Sequence, residues 1–181
     1  QSPERSKTIS AYDLSSYNYT TGETTDLTEE KVTNAIIETT SADKPKAYFL
    51  TGHGEMVDSM SLAKQYLQND VIDVAELDLL TTEFPEYWYE LVIATPTEDF
   101  TDLETEQIIN YINNGGNILW LSNAKTTELT NVQRVLDMYG VSVGNGIVRE
   151  TDSDRMLPGT QNFILPSLST HKVTEDISDG Y

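Results

Sequence analysis

Two histidines occur in the chain, and one of them stands in the run Thr51-Gly52-His53-Gly54-Glu55, directly after the apolar stretch Ala47–Leu50. An imidazole followed two residues later by a carboxylate is the minimum for a general base and its orienting partner. Ser122 offers a hydroxyl that such a pair could activate. It lies between Leu121 and Asn123, however, without the flanking glycines that a nucleophile elbow requires. Zinc would need three or four ordered ligands, and His53, Glu55 and the distant His171 do not supply that spacing. The acidic run Thr151–Asp154 resembles half of a calcium loop but lacks its glycine and terminal glutamate. Gly52 and Gly54 precede a helical pattern, as in a phosphate cradle, yet no lysine or third glycine follows and Glu55 opposes an anion. The simplest reading of both glycines is conformational: they let the chain leave a buried strand sharply, with His53 bonded to a neighbouring loop. No metal site and no cofactor are expected.

The elements that position these residues follow from periodicity. Thr28–Thr40 reads as a helix, capped by Asp26 or Thr28, with Val32, Ala35, Ile36 and Thr39 on one stripe. Ala47–Leu50, residues 91–96 and residues 117–122 are short unbroken apolar runs, as expected of strands covered on both faces. Residues 58–69 are helical, and 71–80 alternate partially. Thr101 with Glu104 makes a capping box for a helix whose Leu103, Ile108, Ile109 and Ile112 share a face, ended by Gly115-Gly116. A further helix covers 131–139. Residues 141–150 read as a strand with a Gly-Asn-Gly kink, and 151–181 as polar and irregular apart from Asn162–Pro166.

Strands alternating with helices predict an α/β fold, a mainly parallel sheet with helices on both faces, carrying a polar N-terminal arm. The arm and first helix occupy 1–45 and the α/β domain 46–181. In such sheets ligands sit at the carboxyl ends of the strands. His53, Glu55, Thr95, Glu98, Asp99, Ser122 and Asn123 then line one rim as ligand-facing candidates. Phe84, Tyr87, Trp88 and Tyr89 form a dense aromatic patch that either binds a partner or covers the sheet edge.

Composition excludes several classes. Thirty acids against eleven basic residues give a formal charge of -19, which repels nucleic-acid phosphates and anionic lipid headgroups. Cysteine is absent, removing disulfides, thiolate metal sites and a sulfur nucleophile. No apolar run is long enough to span a bilayer. The polar opening Gln1-Ser2-Pro3 and the close Asp179-Gly180-Tyr181 suggest a piece of a larger protein.

Three blocks carry a resemblance: Glu29–Glu55, residues 91–121 ("LVIATPTEDFTDLETEQIINYINNGGNILWL") and residues 136–148 ("LDMYGVSVGNGIV"). In order and spacing they resemble the extracytoplasmic domain of auxiliary components of uncharacterised ABC transporters, of the gliding-motility-linked (GldG-like) type. The resemblance spans roughly residues 28–150. It implies a class I glutamine amidotransferase-like, flavodoxin-like fold and transmembrane helices flanking this piece. It also implies a permease and an ATPase as partners, and residence on the outer face of the cell membrane. Amidotransferases of that fold use a cysteine nucleophile, so the cysteine-free chain is expected to be a non-catalytic domain that binds a ligand, small molecule or glycan, or a partner protein. The alternatives are a hydrolase or carbohydrate-processing enzyme using His53 and Glu55, and a protein–protein scaffold.

Overall fold

The computed structural model describes residues 6–41, 44–85, 90–123, 128–144, 146–167, 169–172 and 174. The chain divides into two compact units, one built from residues 1–123 and 127–143, the other from 124–126 and 144–181. The first unit opens with a helical turn, Ala11–Leu14, and a hairpin of β1 (Ser15–Tyr17) and β2 (Thr24–Asp26), paired antiparallel as a sheet of their own. Helix α1 (Thr28–Thr40) follows, with Leu27 rather than Asp26 or Thr28 at its N-cap; the Asp26 carboxylate, one position further out, accepts the Thr28 amide at 2.8 Å. The Thr28 side chain first, and its amide second, hold the Asp26 carboxyl below its usual range through hydrogen bonds.

The main sheet contains β3 (Lys46–Leu50), β4 (Asp73–Leu77), β5 (Glu90–Ala94) and β6 (Ile118–Leu121), all parallel, in the order β4-β3-β5-β6. Helix α2 (Ser61–Asn69) connects β3 to β4, α3 (Asp102–Asn113) connects β5 to β6, and α4 (Thr130–Asp137) follows β6. Alternate strand residues face opposite layers. Leu50, Leu77, Leu91 and Ile93 meet Ile108 and Tyr111 of α3 and Val132, Val135 and Leu136 of α4 on one side. Ala47, Phe49 and Val92 meet Val57, Met60 and Leu67 on the other, against α2. The expected α/β fold, a parallel sheet with helices on both faces, is therefore the fold observed. From β3 the chain steps outward to β4, then returns to the opposite side at β5. The strand order thus reverses between β3 and β5, which makes their carboxyl ends the switch point where parallel sheets hold ligands.

Three local expectations are corrected. The α1 stripe faces inward only in part: Ala35 and Thr39 are half-buried, but Val32 and Ile36 are exposed, and Lys31, Asn34 and Glu38 are half-buried beside them, with Asn34 Nδ2 donating to Asn69 O at 2.6 Å. On α3 the buried face is Glu104, Thr105, Ile108 and Tyr111, while Leu103 is exposed. No strand forms among the described residues of 141–150. The Gln133 carboxamide takes the place of a neighbouring strand there, donating to Val141 O at 2.8 Å and accepting from Val143 N at 3.1 Å.

In the second unit a short turn at Ser153–Arg155 is capped by the Asp152 side chain. An antiparallel bridge joins Met156 to Ile164, within the expected 162–166 segment. Glu150 accepts the amides of Asp152 and Thr151, which hold its carboxyl below the usual range. His171 is exposed; its amide donates to Thr174 Oγ1 at 3.2 Å.

A buried glutamate–histidine–glutamate cluster at the switch point

Leaving β3, the chain needs two left-handed residues in three, and Gly52 and Gly54 supply them with φ of 115° and 72°. At Gly54 the need is also spatial, because a Cβ there would run into Thr97 Oγ1. The close approach lets the His53 carbonyl accept the amides of Thr97 at 2.8 Å and Glu98 at 3.0 Å, tying the β3 turn to the loop after β5. Met56 N donates to Ala94 O at 3.0 Å and strengthens the same junction.

The His53 side chain turns inward and the residue is 4% exposed. Nε2 lies 3.2 Å from Oε2 of Glu104, in the first turn of α3. Oε2 also accepts the Thr101 amide at 2.8 Å and the Thr101 hydroxyl at 2.7 Å, so the capping glutamate of α3 doubles as the anchor of the imidazole. This arrangement places a proton on Nε2. On the opposite side, Nδ1 lies 3.4 Å from Glu55 Oε1, within ion-pair range but outside hydrogen-bond geometry. Glu55 instead folds back to accept the His53 amide on Oε2 at 2.7 Å. The ring meets Phe100 edge-on, with centroids 4.9 Å apart. The side chains of Glu55 and Glu104 are 1% and 0% exposed.

A buried carboxylate must be paired or hydrogen-bonded to stay ionised. Here each carboxylate has one oxygen committed to backbone or hydroxyl donors, and the ring is wedged between the two. The carboxylates address opposite ring nitrogens rather than one point, so they do not form a common coordination centre. Among the described residues no three His, Asp or Glu side chains are arranged to hold a metal ion. Ser122, the hydroxyl candidate, is exposed, with Oγ 3.5 Å from Asn123 O. The cluster joins three elements, the β3 turn, the β5 loop and the α3 start, and its chemistry is that of a lock.

The remaining rim residues have separate tasks. Thr95 closes β5 in a left-handed conformation, φ 52°, uncommon for a β-branched residue; its amide donates to Leu121 O at 2.8 Å. Glu98 is exposed beyond its backbone bond. Asp99 reaches across to α4, where Oδ1 accepts from Asn131 N and Val132 N, each at 3.0 Å, and serves as that helix's cap from outside its own segment. Asn131 answers by donating Nδ2 to Phe100 O at 2.7 Å. Ser122 and Asn123 end β6 at the surface. Of the rim candidates, then, His53 and Glu55 are brought together, with Thr95 and Glu98 beside them in the β5 loop, whereas Asp99 turns to α4. Phe84 stacks on Tyr111 at 5.1 Å and packs against the core; Tyr87, Trp88 and Tyr89 lie outside the described residues. Glu104 is the functional residue missed by sequence reasoning. Its signal was present as the N3 position of the capping box, but nothing local ties it to a histidine 51 positions earlier.

Fold and cluster together define a parallel α/β domain whose switch point is filled by its own side chains. The family model of the ABC-type uncharacterized transport system auxiliary components matches residues 44–161, about two thirds of the chain. The chain belongs to that family. No curated protein and no solved structure matches it.

Proposed function

We propose that this chain is a non-catalytic, extracytoplasmic domain of a membrane-anchored ABC transporter accessory protein, acting by binding a ligand or partner protein outside the membrane. Family membership supports the accessory role. The observation that carries the non-catalytic part is the burial of His53 between Glu55 and Glu104, which withholds the imidazole from substrate. The absence of cysteine removes the nucleophile of the amidotransferase-like relatives implied by the sequence blocks. A hydrolase using His53 and Glu55 would need both groups to reach a bound molecule, and each already faces the other across the turn. Among the described residues no helix is long and apolar enough to cross a membrane. The flanking transmembrane helices that the sequence resemblance implies would supply the anchor, with a permease and an ATPase as partners.

The test uses the full-length gene product, tagged and expressed with its chromosomal neighbours. The proposal expects co-purification with a permease and an ATPase from detergent extracts, and cleavage of this domain by protease added to intact spheroplasts. A full-length product found free in the cytosol, or protected until the membrane is breached, overturns it.

A further inference from the structure

We infer that the cleft between residues 7–15, α1 and the end of α2 binds a neutral saccharide, with Tyr12 as its stacking surface. The cleft has a volume of about 480 Å³ and lies wholly within the first unit. That volume falls in the range of small-molecule sites, about 300–1,000 Å³. Its charged lining is balanced: Lys7 and Lys31 face Asp13 and Glu38 in a chain that is otherwise strongly acidic. Lys7 is already paired with Glu38 at 2.7 Å, and Lys31 with Glu30 at 2.7 Å. The cleft therefore offers many hydrogen-bonding groups without a net field to select an ion.

What remains suits hydroxyl groups. Asn34 spends its amino group on Asn69 O and leaves its carbonyl oxygen available, while the Gln68 carboxamide provides both a donor and an acceptor. Tyr12 is 93% exposed, yet it is not on a loose segment. Its turn is closed by a reciprocal capping box between Ser10 and Asp13, so the ring is presented from a fixed backbone. An aromatic face held this way packs against the C–H face of a pyranose at small entropic cost. Val71, by contrast, is buried and lines the cleft with φ 63°, in the left-handed position that closes α2, where Val71 N bonds Gln68 O and Ile72 N bonds Leu67 O. Glycine normally takes that position. A β-branched residue held there gives the polar cleft an apolar lining residue. Residues 7–15 and α1 lie outside the family-matched segment, so the cleft is built by an appendage laid on the family core.

The experiment titrates the ¹⁵N-labelled chain with neutral trisaccharides of glucose, mannose, galactose and N-acetylglucosamine, with inorganic phosphate as the ionic control. Expected are saturable amide shifts at Tyr12, Asn34, Gln68 and Asn69 with at least one sugar. Tyr12→Ala should weaken that binding at least about tenfold, with the circular dichroism spectrum unchanged. No saturable shift with any of the four sugars overturns the inference. So do shifts that map elsewhere, binding indifferent to Tyr12→Ala, or phosphate saturating the same amides.

Discussion

Replacing His53 by alanine takes the wedge out of the switch point, and the structure sets the size of the loss. Glu104 Oε2 would keep its Thr101 donors but lose the Nε2 donor at 3.2 Å, and Glu55 would lose the ring beside Oε1. Breaking one member of a buried charged cluster costs about 3–5 kcal/mol. The edge-on contact with Phe100 adds about 0.5–1.5 kcal/mol. A net loss of about 4 kcal/mol is expected, against a total of about 5–15 kcal/mol for a domain. In urea, with a slope of about 1–3 kcal/mol/M, the midpoint should fall by about 2 M. Glu104→Gln, which retains an acceptor for Thr101, should lose less, and a double-mutant cycle between the two sites should show coupling of about 0.5–3 kcal/mol. A loss under about 1 kcal/mol for His53→Ala with an unchanged slope would refute the structural role.

Three further outcomes follow from neighbouring geometry. Gly54→Ala should cost at least about 2 kcal/mol, from the left-handed backbone and the collision with Thr97 Oγ1, and part of that should return when Thr97→Ala is added; both are read by thermal unfolding. Asp99→Ala should destabilise α4 by about 1–2 kcal/mol through loss of its cap, seen as faster amide exchange at Asn131 and Val132. Burial pushes the Tyr111 hydroxyl from 10.0 up to about 12, and the hydroxyl donates to Asn117 O at 2.7 Å. The folded state therefore favours the protonated phenol: its contribution is complete below pH 10 and fades as pH rises toward 12. Two pKa units correspond to about 3 kcal/mol. Tyr111→Phe should cost about 1 kcal/mol at neutral pH and flatten the alkaline stability profile.

Much of the sheet was legible because burial on both faces leaves an unmistakable residue pattern. Ala47–Leu50 and residues 91–94 are unbroken apolar runs, and both are central strands. The capping box at Thr101 and Glu104 fixed the start of α3 from two residues alone. Where side chains had long-range tasks, the pattern failed. Glu104 reads as a cap and is one, but its bond to His53 depends on how β3 and α3 meet. The α1 stripe misled at Val32 and Ile36 because this helix is held by polar contacts of Asn34 with Asn69 and of Glu38 with Lys7 and Lys44, leaving those two side chains outside. Val141 and Val143 look like strand residues, and they do use ladder-type bonds, but with the Gln133 side chain instead of a strand. Asp99 sits on the rim as expected of a ligand-facing acid, and its direction was set by the unsatisfied amides of α4.

The two histidines allow the central claim to be tested within one molecule. Diethyl pyrocarbonate labelling, followed by peptide mass spectrometry across a urea series, compares exposed His171 with His53, which is 4% exposed. The sealed cluster predicts that His171 reacts in the native protein and that His53 reacts only through the global unfolding transition. Labelling of His53 in the native protein at a rate comparable to His171 would contradict the account, since an imidazole open to reagent is also open to substrate.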